Sequence, residues 1–132
     1  EKYFENFIKN RKKNVKNLLM DQTFVSGLGN IYANEALFMA KINPLKSCIS
    51  LKKKDIKNLI FNIRKILRIS IHQGGSSIKN YKNIHGESGH FQQFFNVYGQ
   101  ENKNCSSALC KSKIKKILIS NRSSFYCSRC QK

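Results

Sequence analysis

Four cysteines close the chain, Cys105, Cys110, Cys127 and Cys130, spaced Cys-x4-Cys-x16-Cys-x2-Cys. Two close pairs separated by the length of a hairpin can bring four sulfurs to the corners of a tetrahedron, the geometry in which zinc takes thiolates at about 2.3 Å. The competing chemistry is a pair of disulfides or unused thiols. Nothing in the sequence resembles a secretory signal, so a reducing compartment is expected, where such clusters hold metal more often than they oxidise. A segment of fewer than thirty residues has too small an apolar core to fold unaided, so a bound ion would supply much of its stability. One structural Zn²⁺ is therefore the expected cofactor. Between the pairs stands Arg122, five residues before Cys127. A guanidinium held there offers a planar fork of donors suited to phosphate, against the plainer reading of a solvated surface arginine. Cys48 stands apart and reads as a buried or incidental thiol.

Charge points to the same class of ligand. The chain has 25 Lys and Arg against 7 Asp and Glu, a formal net charge of +18. Such a surface attracts a polyanion, and nucleic acid is the first candidate. Lys supplies 20 of those cations, and Lys, Asn and Ile make up 50 of the 132 residues, so AT-rich codon usage accounts for part of the charge. No apolar run approaches the length that crosses a bilayer, and no membrane partner is expected.

The elements that must position these groups are legible in outline. Residues 1–20 form a basic, helix-prone lead-in. In "DQTFVSGLGNIYANEALFMAKINP", Gly27 and Gly29 mark a tight turn and Asn30 is a good N-cap for "IYANEALFMA", read as an amphipathic helix that Pro44 prevents from continuing. Ser50 is placed to cap the next helix, whose stripe Ile56, Leu59, Ile60, Ile63, Ile66 and Leu67 keeps helical spacing up to Gly74. The stretch 74–99 is rich in Gly, Ser and Asn with interleaved aromatics, too polar for a packed helix and long for a plain connection. "KIKKILIS" and "RSSFYC" read as two strands of a hairpin. The expected fold is mainly α with a small β-hairpin finger, residues 1–100 forming a helical domain and 101–132 the cysteine module.

"LLMDQTFVSGLGNIYANEALFMAKINP", "GGSSIKNY", "GESGHFQQFFNVYG" and "NRSSFYCSRCQK" resemble, in order and spacing, the C-terminal half of bacterial formamidopyrimidine-DNA glycosylase, over about residues 16–132. The resemblance implies a helix–two-turn–helix domain followed by a zinc finger, both gripping damaged duplex DNA that carries oxidised purines or abasic sites. It implies a DNA glycosylase and abasic-site lyase of base-excision repair, monomeric and nucleoid-associated in a bacterial cytoplasm. Asn30 falls on a phosphate-contacting position at the Gly27-Leu28-Gly29 turn, Tyr98 on another, and Arg122 on the finger arginine assigned a part in δ-elimination. Ser77, Ile78, Lys79, Asn80 and Tyr81 fall on the lesion-capping loop, consistent with an enzyme that extrudes its target base.

The family's chemistry begins at an N-terminal proline amine, with an adjacent glutamate and a phosphate-binding lysine. The only proline here is Pro44, so the chain is expected to be a C-terminal portion, inactive alone. The finger departs from the family pattern in its longer first pair and in Lys111, where the family has glycine. Two other functions fit part of the sequence: an endonuclease VIII-type glycosylase for oxidised pyrimidines, and a non-enzymatic zinc-ribbon module that binds nucleic acid.

Overall fold

The computed structural model describes residues 1–72 and 95–132. The basic lead-in is two short helices, α1 (Lys2–Ile8) and α2 (Val15–Leu19). Between them Asn10 takes a left-handed conformation (φ 65°), and Asn14 starts α2 by accepting the Asn17 N–H at 2.8 Å. α1 is held by aromatics: the Phe24 ring stacks on Tyr3 and meets Phe4 edge-on at 4.9 Å.

α3 (Asn30–Met39) is the centre of the molecule. Tyr32, Ala33, Ala36 and Leu37 are all but fully buried, as are the polar Asn34 and Glu35. The amphipathic character expected of this helix is corrected: it is covered on nearly all sides and has no solvated polar face. It ends in a Schellman turn: Lys41 is left-handed (φ 59°), its N–H donates to Phe38 O and the Ile42 N–H to Leu37 O, both at 3.0 Å.

A 3₁₀ turn (Cys48–Ser50) leads to α4 (Lys53–His72). Here the apolar stripe is real, with Ile56, Leu59, Ile63 and Ile66 buried in the main core and α4 packed along α3. The predicted end of this helix at Gly74 lies outside the described residues.

Two expected caps are corrected. Gly29, in extended conformation, is the N-cap of α3; Asn30 is its first residue and spends its side-chain amide elsewhere. Ser50 does not cap α4, because its hydroxyl donates back to Ser47 O at 2.7 Å. Instead Asp55 reaches back to accept the Lys52 N–H at 3.0 Å.

The strands are β1 (Lys115–Ile119) and β2 (Arg122–Tyr126), antiparallel with Ile119 opposite Arg122. Ser120 and Asn121 join them, both left-handed (φ 50° and 64°), as a two-residue type I′ turn requires. A second, small core of Val97, Cys105, Ile114, Phe125 and Cys127 includes Phe38 from α3. Among the described residues, no helix is long and apolar enough to cross a membrane.

Candidate functional site

The hairpin brings the four cysteines together. Cys105 and Cys130 sulfurs are 3.7 Å apart, as are those of Cys110 and Cys127, and all four lie within 4.8 Å of one another. A disulfide needs about 2.05 Å, so these thiols are unpaired; sulfurs 2.3 Å from a central ion would stand about 3.8 Å apart. The donor set fits tetrahedral zinc. Cys105 and Cys127 are buried, and Cys110 and Cys130 half-buried. The Ser112 N–H draws the Cys110 thiol down to about 7, while burial pushes Cys130 up to about 12. The longer first loop takes its left-handed residue at Leu109 (φ 65°), so Lys111 needs no glycine-like backbone. The extra residues thus absorb the missing glycine.

β2 lies against the start of α3, and polar groups make the joint. The Asn30 side chain donates to Ser123 O at 3.0 Å. One turn on, Asn34 accepts the Phe125 N–H at 2.8 Å and points its amide at Ser123 O, 3.3 Å away. Arg122, the first residue of β2, is exposed beside this joint. Lys16 reaches the same strand from α2: its buried ammonium donates to Ser124 Oγ at 2.7 Å. Burial pulls Lys16 down to about 8, and the Arg122 charge pulls in the same direction. Two cations are therefore held near each other beside the open start of a helix, an arrangement that an anion would relieve.

The turn before α3 is shaped for close approach. Gly27 has φ 87°, a conformation costly for any other residue. At Gly29 an added Cβ would meet nothing within 4 Å of this chain, and the α3 start has no side-chain cap. A helix start of this kind, with its positive dipole end, suits an anion.

Tyr98 packs on the same strand, β2. Its ring meets Phe125 at 4.9 Å. Its backbone is fixed by Glu35, whose carboxylate accepts the N–H groups of Asn96, Val97 and Tyr98 at 2.6, 2.9 and 2.9 Å. Burial pushes the Glu35 carboxyl upward while those three donors pull it down. Asp21 and Asp55 are spent in ion pairs with Lys13 and Lys46, so little described acid opposes the cations.

Asn30 bonds the residue that follows Arg122 on β2, and Tyr98 packs on Phe125 of the same strand; Gly27 and Gly29 lie in the turn before α3, and the cysteine cluster gathers at the hairpin base. Ser77, Ile78, Lys79, Asn80 and Tyr81 lie outside the described residues. Sequence reasoning missed Lys16, Asn34 and Glu35. The available signal was a polar pair, Asn34-Glu35, inside an otherwise apolar helix.

The model of the formamidopyrimidine-DNA glycosylase H2TH domain matches residues 1–82. The formamidopyrimidine-DNA glycosylase of Roseobacter denitrificans is 47% identical over 124 residues, covering 94% of this chain and 44% of that protein. The enzyme of the same name from Ruthia magnifica is 45% identical over 93% of this chain and 45% of its own length. Among solved structures, a Lactococcus lactis Fpg bound to abasic-site DNA superposes with a TM-score of 0.86 at 37% identity, covering 99% of this chain and 47% of that one. The same Lactococcus protein with an oxidised-pyrimidine DNA gives 0.85 at 37% identity, covering 99% of this chain and 46% of that one. The chain thus spans just under half the length of the relatives it matches.

Proposed function

Since the chain belongs to the formamidopyrimidine-DNA glycosylase family, we propose that it is the DNA-gripping, zinc-bearing part of a base-excision-repair glycosylase and abasic-site lyase for oxidised purines. The observation that carries this reading is the joint between Asn30 and β2: a hydrogen bond to Ser123 sets the open start of α3 beside Arg122. In that setting Arg122 grips the phosphates flanking an extruded nucleotide, and the α3 amides, Asn30 and Tyr98 hold neighbouring phosphates of the same duplex. Cys105, Cys110, Cys127 and Cys130 would hold one zinc ion, which would stiffen the finger that carries Arg122.

The division at residue 100, the lesion-capping role of Ser77–Tyr81 and a contribution of Arg122 to δ-elimination rest on motif correspondence with the family. So does the expectation that the nucleophilic proline amine is supplied outside these 132 residues. A site among chromosomal DNA in a bacterial cytoplasm follows from the substrate. The preference for oxidised purines over pyrimidines rests on the "GGSSIKNY" motif, and excision of 8-oxoguanine against thymine glycol in a full-length enzyme separates the two.

The chain itself can be tested by fluorescence anisotropy with abasic-site duplex across 50–200 mM salt. Affinity is expected to fall steeply with salt. Arg122→Ala should weaken it about tenfold and reduce the salt slope by about one. Borohydride with 8-oxoguanine duplex should trap no adduct. A covalent adduct, or an Arg122→Ala variant that binds like the parent, would overturn the reading.

A further inference from the structure

Asn34 is a polar side chain in the most deeply covered stretch of α3, 1% exposed and flanked by Ala33 and Glu35, both buried. An amide in such a place is costly unless its groups are satisfied. Here they are. Oδ1 accepts the Phe125 N–H at 2.8 Å, and Nδ2 donates to Asn30 O at 2.9 Å and lies 3.3 Å from Ser123 O.

Ser123 and Phe125 are alternate residues of β2, and the groups Asn34 engages belong to the strand edge that β1 does not pair. A bare hairpin edge is free to slip or to recruit another strand. Asn34 occupies that edge as a neighbouring strand would, taking one N–H and facing one C=O two residues apart. Asn30 adds a second donor to the same carbonyl at 3.0 Å. Arg122 directly precedes Ser123, so the contact that fixes Ser123 and Phe125 also fixes where the arginine leaves the strand.

We propose that Asn34 is the positioning residue that locks β2 to α3 in one register, so that Asn30 and Arg122 reach the sugar–phosphate strand as a unit of fixed spacing. This rests on the reading of Arg122 as a phosphate ligand. Asn34 touches no DNA in this scheme; it acts through the strand it holds.

The test is a double-mutant cycle in the 132-residue chain, with zinc content and thermal transition measured for every variant. Asn34→Ala is expected to keep one zinc per chain, weaken abasic-duplex binding five- to tenfold and lower the salt slope by about one. Adding Arg122→Ala should then cost less than a further twofold, since the arginine has already lost its place. A residue of purely structural worth would leave the salt slope alone and give multiplicative losses, and either result overturns the inference while leaving the phosphate role of Arg122 intact. Should Asn34→Ala not fold, Asn34→Asp replaces it in the cycle, keeping the acceptor for Phe125 but setting an oxygen against the Ser123 carbonyl. Multiplicative losses there, or unchanged binding, overturn it equally. If Arg122→Ala alone binds like the parent, the phosphate reading fails first and this inference falls with it.

Discussion

The helical body and the finger are held together by different physics. The body buries a continuous set of apolar side chains, among them Leu18, Leu19, Leu28, Leu37 and Leu59, each essentially inaccessible. The finger has a small core in which two of the buried residues, Cys105 and Cys127, are themselves candidate metal ligands. Its remaining support comes from Phe38 of α3 and from polar contacts with α2, α3 and the turn that ends α3. The body therefore folds by hydrophobic burial, whereas the finger depends on an ion and on a surface already built by the body. Folding order follows: the body can form without the finger, and the finger cannot form without the body.

The sharpest way to break this contrast is to remove the metal. Structural zinc sites contribute about 10–16 kcal/mol of apparent binding energy in small modules, so chelation or Cys127→Ser should abolish amide protection across β1 and β2. Helical circular dichroism from the body should survive. Loss of both together would show that the two regions are one cooperative unit.

Next in size is a cavity in the body. Leu37→Ala should cost about 2–5 kcal/mol, lowering the thermal transition while zinc content stays at one per chain. A variant that sheds zinc at ambient temperature while its helices stay folded would show that the two cores are not held by separate forces.

A third prediction works through Lys16, which ties α2 to the finger. Its folded-state value of about 8 lies below the ordinary 10.5. Between those limits the unfolded chain binds more protons than the folded one, so stability should rise as pH increases from 8 to 10.5. The gain is on the order of 2–3 kcal/mol and should vanish in Lys16→Met. DNA affinity should move the other way, falling as pH climbs past 8 and the ammonium is lost. Denaturant melts and binding titrations across that range check both signs.

The smallest expected effect lies at the hairpin tip. Asn121 already adopts φ 64°, and Asn121→Gly should raise finger stability by only about 0.5 kcal/mol, visible as slower exchange of hairpin amides with no change in the helices.

The sequence made some of this plain and concealed the rest for a physical reason. The cysteine quartet, the two strands and the α4 stripe are local patterns, and each appears where spacing placed it. The arginine between the cysteine pairs likewise stands beside the helix start singled out by Gly27 and Gly29. What remained hidden is the joint. Lys16 meets Ser124, Asn34 meets Phe125, and Glu35 meets residues 96–98, across separations that no periodicity reports. A short polar side chain at a helix start usually serves the helix, and Asn30 has that position; its better partner is a carbonyl 93 residues away. Polar residues inside an apolar helix were the one clue, and they mark where another element docks.

The chain end adds a second anchorage. Gln131 accepts the Cys127 N–H and donates to Ile42 O, each at 2.9 Å, and the Lys132 N–H reaches Lys41 O at 3.2 Å. The metal-bearing hairpin is thereby bolted near both extremities of a single rod, which removes the swivel that one attachment would allow. Nuclear relaxation should accordingly report a shared rotational correlation time for both parts of the molecule rather than two.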